Sequence, residues 1–108
     1  MLTNHNNVIA AIHQLRETSV TWPSQDGGQI QVRRCAPMDY GLARISKDGK
    51  PRYHFWDLES PSGKNHNLSL RADQISDVTI LDTIFDPDAF VTWTTNWVLP
   101  RNTWGIHN

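Results

Sequence analysis

Apolar residues recur along the chain first at helical and then at strand spacing. Val8, Ile9, Ile12 and Leu15, with Ala11 between them, fall on one face at steps of three and four. That spacing predicts a short amphipathic helix over 4–17, with Thr3 or Asn4 placed to accept a bond from a free backbone N–H at its start. The β-branched cluster at Thr18–Thr21 ends it. From there the period falls to two. Val20 and Trp22 alternate with polar neighbours, and Ile30 and Val32 lead into Cys35 and Ala36. Pro37, which has no N–H to donate, is expected to end that strand's pairing. A separate strand is expected through Tyr40, Leu42 and Ile45, bent at Gly41.

Asp48-Gly49 marks a hairpin turn into the most aromatic run of the chain, Arg52 to Glu59. Tyr53, Phe55 and Asp57 share one face of that strand, and His54, Trp56 and Leu58 share the other. Apolar groups on both faces predict a strand inside the sheet. Two further strands follow, one over about 67–71 with Leu68 and Leu70 inward and one from Ile75 to Leu81, joined by a one-turn connector at 71–74. Asp86-Pro87 reads as a helix start, and Phe90, Trp93 and Trp97 recur at helical spacing, so a short helical segment is expected over 86–98 with a tail over 99–108. The sum is one mainly β (α+β) domain over 1–108. It is a small, strongly bent, five- to six-stranded antiparallel sheet or partly open barrel over 19–82, with a helix at each end.

Composition changes this picture little. Five tryptophans supply volume that an apolar fraction of 38% does not, and most are expected in the core. The net charge of −1 gives no whole-chain pull toward nucleic acid or membrane. The charge is uneven: seven Lys or Arg against four acids up to residue 52, then three against seven. A single cysteine, Cys35, excludes an internal disulfide. No secretory pattern and no apolar run of membrane-spanning length occurs, which sets the expectation of a soluble cytoplasmic protein away from membranes.

The search for chemistry is mostly negative. The five histidines form no close sets with Cys, Asp or Glu at zinc spacing, so no metal or other cofactor is expected. No serine sits in a strand–turn–helix elbow, and the carboxylate pairs Asp57/Glu59 and Asp86/Asp88 have ordinary strand and helix-start explanations, so no enzyme activity is expected. What remains is a set of basic residues interleaved with rings: Arg33, Arg34, Tyr53 and His54, with Arg44, Lys47, Lys50 and Arg52 around them. A surface that tracks phosphates with guanidinium groups and stacks bases on rings needs these residue types.

Several short stretches of this chain resemble the WYL domain of bacterial transcription regulators. They are Val20-Thr21-Trp22, Arg34-Cys35-Ala36-Pro37, Tyr53-His54-Phe55, Arg71-Ala72-Asp73-Gln74-Ile75 and Phe85-Asp86-Pro87-Asp88-Ala89-Phe90. The resemblance spans about residues 8–90 and implies an SH3-like (Sm-like) barrel. The name-giving triplet stands here as Tyr53-His54-Phe55, and Leu68 and Gln74 occupy places where the family carries ligand-binding arginines. Arg34 and Arg71 remain as polar contacts. The sequence thus leads to a stand-alone binding module in regulation, with Arg33, Arg34, Tyr53, His54 and Arg71 holding a nucleotide-type ligand or single-stranded nucleic acid. The alternative is a protein-interaction or self-association domain that uses Trp93, Trp97 and Trp104.

Overall fold

A computed structural model describes residues 2–24, 28–42, 49–60 and 66–108. Helix α1 spans Leu2–Gln14 and is followed by strands β1 (Arg16–Pro23), β2 (Ile30–Leu42), β3 (Pro51–Asp57), β4 (His66–Leu70) and β5 (Asp77–Ile84). The strands form one antiparallel sheet in the order β4-β3-β2-β1-β5.

α1 ends three residues before the expected boundary at 17. Leu15 takes a left-handed conformation, φ 57°, which breaks the helical path and turns the chain directly into β1. Leucine in this conformation carries strain of about 1–2 kcal/mol, and the Leu15 carbonyl accepts a 2.8 Å bond from the Phe85 N–H there. Val8, Ala11 and Ile12 are fully buried, as their spacing requires.

The two strands expected on either side of Pro37 are one strand. β2 pairs with β1 up to Cys35 and with β3 from Cys35 onward, so Pro37 lies beyond the β1 ladder and its missing N–H breaks no bond there. A register shift between Pro37 and Asp39 bends the strand where the partner changes. The residues of the expected Ile45 strand end and most of the Asp48-Gly49 turn lie outside the described residues. Gly49 itself has φ 68°, the conformation such a turn requires.

β3 lies inside the sheet, and its alternation holds: Tyr53, Phe55 and Asp57 are buried, while His54 and Trp56 are half-buried on the other face. The sheet is rolled. Trp22 on β1 and Leu68 and Leu70 on β4 line one cavity, although β2 and β3 separate those strands. Closure into a barrel is not observed, because β4 and β5 stand at opposite ends of the strand order. The 3₁₀ turn Ala72–Gln74 joins them without a ladder between them. At the β5 edge, α1 supplies polar groups in place of a strand. Asn4 Oδ1 accepts from the Val78 N–H at 3.1 Å and Asn7 Nδ2 donates to the Val78 carbonyl at 2.8 Å.

No α-helix forms over 86–98. Asp86 caps as expected, accepting from the Asp88 N–H at 3.0 Å with Pro87 next, but only a 3₁₀ turn over Pro87–Ala89 follows. Val91, Thr92, Thr94, Thr95 and Asn96 are poor helix formers, and the rings pack in a chain of contacts instead. Trp56 stacks on Phe90 with centroids 5.5 Å apart, and Phe85 meets Trp104 edge-on at 5.3 Å. The expected loose tail is docked. Trp104 is buried, and its indole N–H donates to the Ile12 carbonyl at 2.8 Å. Among the described residues no helix is long and apolar enough to cross a membrane.

Candidate functional site

The bent sheet distributes the basic and aromatic residues between its faces rather than gathering them. Arg33 points to the α1 side. It donates to Asp57 Oδ2 at 2.9 Å and to Gln31 Oε1 at 2.7 Å, and its guanidinium lies 5.7 Å from the Trp22 ring centre. Asp57 is buried, so Arg33 is the counter-charge that lets this carboxylate stay inside. Arg34, the next residue, points the opposite way and holds the buried Glu17 at 2.8 Å.

Tyr53 lies under α1. Its hydroxyl pairs with His5 Nδ1 at 2.7 Å and its ring packs 4.5 Å from Tyr40. Burial, with a smaller contribution from Tyr40, pushes this phenol up to about 12. His54 faces the other side, where Nδ1 pairs with Ser69 Oγ at 2.8 Å. Burial holds its imidazole below the ordinary histidine value and Arg52 adds to this, against the opposing pull of Asp39 and the Gly41 backbone.

Of the expected contact residues, Arg71 lines a cavity. This space, about 340 Å³, lies between Trp22 and Leu68 and Leu70, with Ser69, Arg52, Arg71 and Gln74 completing its wall. Its volume is within the range of small-ligand sites. Arg71 donates through Nε to Asp73 at 2.9 Å, which holds that carboxyl below its ordinary value, and its N–H is fixed by Gln74 Oε1 at 2.9 Å. Arg52 Nη1 donates to the Lys50 carbonyl at 3.0 Å. The cavity thus joins a tryptophan and two leucines to two arginines. Trp22 and Arg52 were present in the sequence as signals, but strand pairing brings Arg52 of β3 beside β4 and the rolling of the sheet brings Trp22 there. Leu68 and Gln74, where the resembling family has arginines, form part of this wall.

A second polar constellation was not legible in advance. Asp39, at the bend of β2, accepts from the N–H groups of Tyr40, Val98 and Leu99, each at 2.9 Å, and from Arg101 Nη2 at 3.4 Å. The Arg101 side chain is wholly buried, its guanidinium 4.3 Å from the Trp97 ring centre and 4.5 Å from that of Trp104. Nη2 and Nε also donate to the Leu99 carbonyl, while Nη1 has no hydrogen-bond partner among the described residues. Burial pushes this guanidinium down to about 10 against the pull of Asp39, so it stays charged at neutral pH. Of the three late tryptophans, Trp93 is exposed, Trp97 half-buried and Trp104 buried. Cys35 is buried, and among the described residues no three metal-ligating side chains cluster.

The sequence matches no protein-family model and no curated protein. Its fold is similar to part of a solved structure, proteasome accessory factor B/C (PafBC) of Arthrobacter aurescens, with a TM-score of 0.60 and 14% sequence identity. The likeness covers 95% of this chain and 14% of that one, so this chain spans about a seventh of the length of the protein it resembles.

Proposed function

We propose that this chain is a non-enzymatic, WYL-like binding module that holds a nucleotide-type ligand or short single-stranded nucleic acid, in the service of regulation. The rolled sheet is read as an incompletely closed relative of the SH3-like barrel. Two lines support the relationship: the short motifs between Val20 and Phe90, and a fold-level likeness to part of proteasome accessory factor B/C that takes in nearly the whole chain.

The observation that carries the proposal is the cavity between β1 and β4. Trp22 offers a ring for stacking, Leu68 and Leu70 an apolar floor, and Arg52 and Arg71 the positive charge a phosphate needs. The ligand contacts therefore centre on Arg71 and Arg52 with Trp22. Arg33 lies against the Trp22 ring and Tyr53 stands opposite Leu70 in the ladder, behind the wall, and Arg34 and His54 lie on the other face.

Calorimetric titration with mononucleotides and short oligonucleotides at low and moderate salt tests this. Removing one charge-assisted phosphate contact costs about 1.5–3 kcal/mol, so Arg71→Ala and Arg52→Ala should each weaken binding by about ten- to a hundredfold. Each should also flatten the salt dependence. Arg34→Ala is the control and should bind like the parent. Absence of saturable binding, or equal losses from Arg34→Ala and Arg71→Ala, would overturn the proposal.

A further inference from the structure

A different hollow lies at the opposite end of the rolled sheet, where α1 ends, β5 ends and the C-terminal segment returns. Its volume is about 450 Å³. Leu15, Phe85, Pro87 and Trp104 make it apolar, and Phe85, Pro87 and Trp104 are themselves buried, so the wall is fixed by the core. Ile106, 90% exposed, stands at its rim.

The fixed charges of the lining have one sign, with His107 beside them as the partner of Asp88. Asp86 and Asp88 both line the hollow and both are exposed, and among the described residues no lysine or arginine lines it. Asp86 uses one oxygen to cap the turn through the Asp88 N–H, and Asp88 pairs through Oδ1 with His107 Nε2 at 2.5 Å. Each therefore keeps a second carboxylate oxygen for another donor. An apolar wall with aromatic surface below two carboxylates is complementary to an aliphatic stem that ends in a cation, because such a group covers apolar surface with its methylenes and offers its head to the acids.

We infer that this hollow is a docking site for a basic, leucine-rich segment of a partner protein, which seats an apolar side chain against Phe85 and Trp104 and an arginine or lysine head between Asp86 and Asp88. This is independent of the nucleotide reading, since the two hollows share no lining residue. The bound segment lies beside Ile106, so its apolar contact continues past the rim.

The test uses the full chain and a peptide of alternating arginine and leucine, with a peptide of alternating glutamate and leucine as its counterpart. Binding is read by calorimetry and by amide shifts of residues 103–107. The variant is the pair Asp86→Asn with Asp88→Asn. Asparagine caps as aspartate does and can still pair with His107, so the turn survives while both charges go. The basic peptide should bind saturably, with shifts confined to this end of the molecule, more weakly at high salt, and about tenfold more weakly to the double variant. The acidic peptide should not bind. Equal binding of both peptides, no loss in the double variant, or shifts centred on Trp22 and Arg71 would overturn the inference. So would concentration-dependent self-association, seen by sedimentation, that moves the same amides without peptide and assigns the hollow to a second copy.

Discussion

Replacing Arg101 by methionine isolates the buried charge pair that fastens the C-terminal segment to β2. Methionine keeps much of the length and lies well against indole rings, so the change removes charge and donors more than volume. Severing a buried pair by deleting one partner costs about 3–5 kcal/mol when the remaining charge is stranded. Asp39 is not fully stranded, because three backbone N–H groups still point at it at 2.9 Å, which places the loss at the lower end. The two ring contacts at 4.3 and 4.5 Å add to the loss and are worth about 1–2 kcal/mol together, partly replaced by sulfur–ring contact. Against this, the partnerless Nη1 disappears, which returns about 1–3 kcal/mol. The balance is a destabilisation of about 2–3 kcal/mol, or about 10 °C in Tm for a domain of this size. Urea unfolding followed by far-UV circular dichroism measures it without interference from the altered tryptophan surroundings, and an unchanged m-value certifies the comparison. A cycle with Asp39→Asn should show a coupling of at least about 1 kcal/mol. A methionine variant as stable as the parent, or more so, would refute the reasoning, since desolvation and the orphaned donor would then outweigh the pair.

Two further outcomes follow from local geometry and ionisation. A Cβ on Gly41 would stand 2.7 Å from Val98 Cβ and Cγ1 and 2.8 Å from Cγ2, so Gly41→Ala should destabilise by about 1–3 kcal/mol, and Val98→Gly in the same chain, which removes all three atoms, should recover part of it in the same unfolding assay. The Tyr53 phenol, raised to about 12 in the folded state against 10 for the free side chain, keeps its proton where the unfolded chain has begun to lose it. Its contribution to stability is therefore whole below pH 10 and is lost as pH rises from 10 through 12. Phe in place of Tyr53 should flatten that part of the stability–pH curve.

The interior place of β3 and the buried face of α1 were legible because each rests on a local period that burial then enforces. Leu15 was not: a helix pattern that includes it continues smoothly to Glu17, and only the turn into β1 selects the left-handed conformation. Pro37 misled for a related reason. Its missing N–H ends pairing only where a ladder is present on that side, and β2 changes partners two residues earlier. The late aromatic residues have helical spacing, yet Phe90 and Trp93 share Trp56 of β3 and Trp97 packs on Trp104, so tertiary contact overrides the period. At the candidate site the residue types were readable and their assembly was not. Neighbours such as Arg33 and Arg34 project to opposite faces, whereas Trp22 and Arg71, distant in sequence, share a cavity that exists only because the sheet rolls.

The two asparagines of α1 have a consequence for how the molecule behaves in company. An outermost strand offers its backbone to any extended chain that drifts alongside. At Val78 that offer is already taken, from within the same molecule, by Asn4 and Asn7. Displacement of the first helix would therefore uncover a pairing template on β5 as well as the core face that Val8, Ala11 and Ile12 cover.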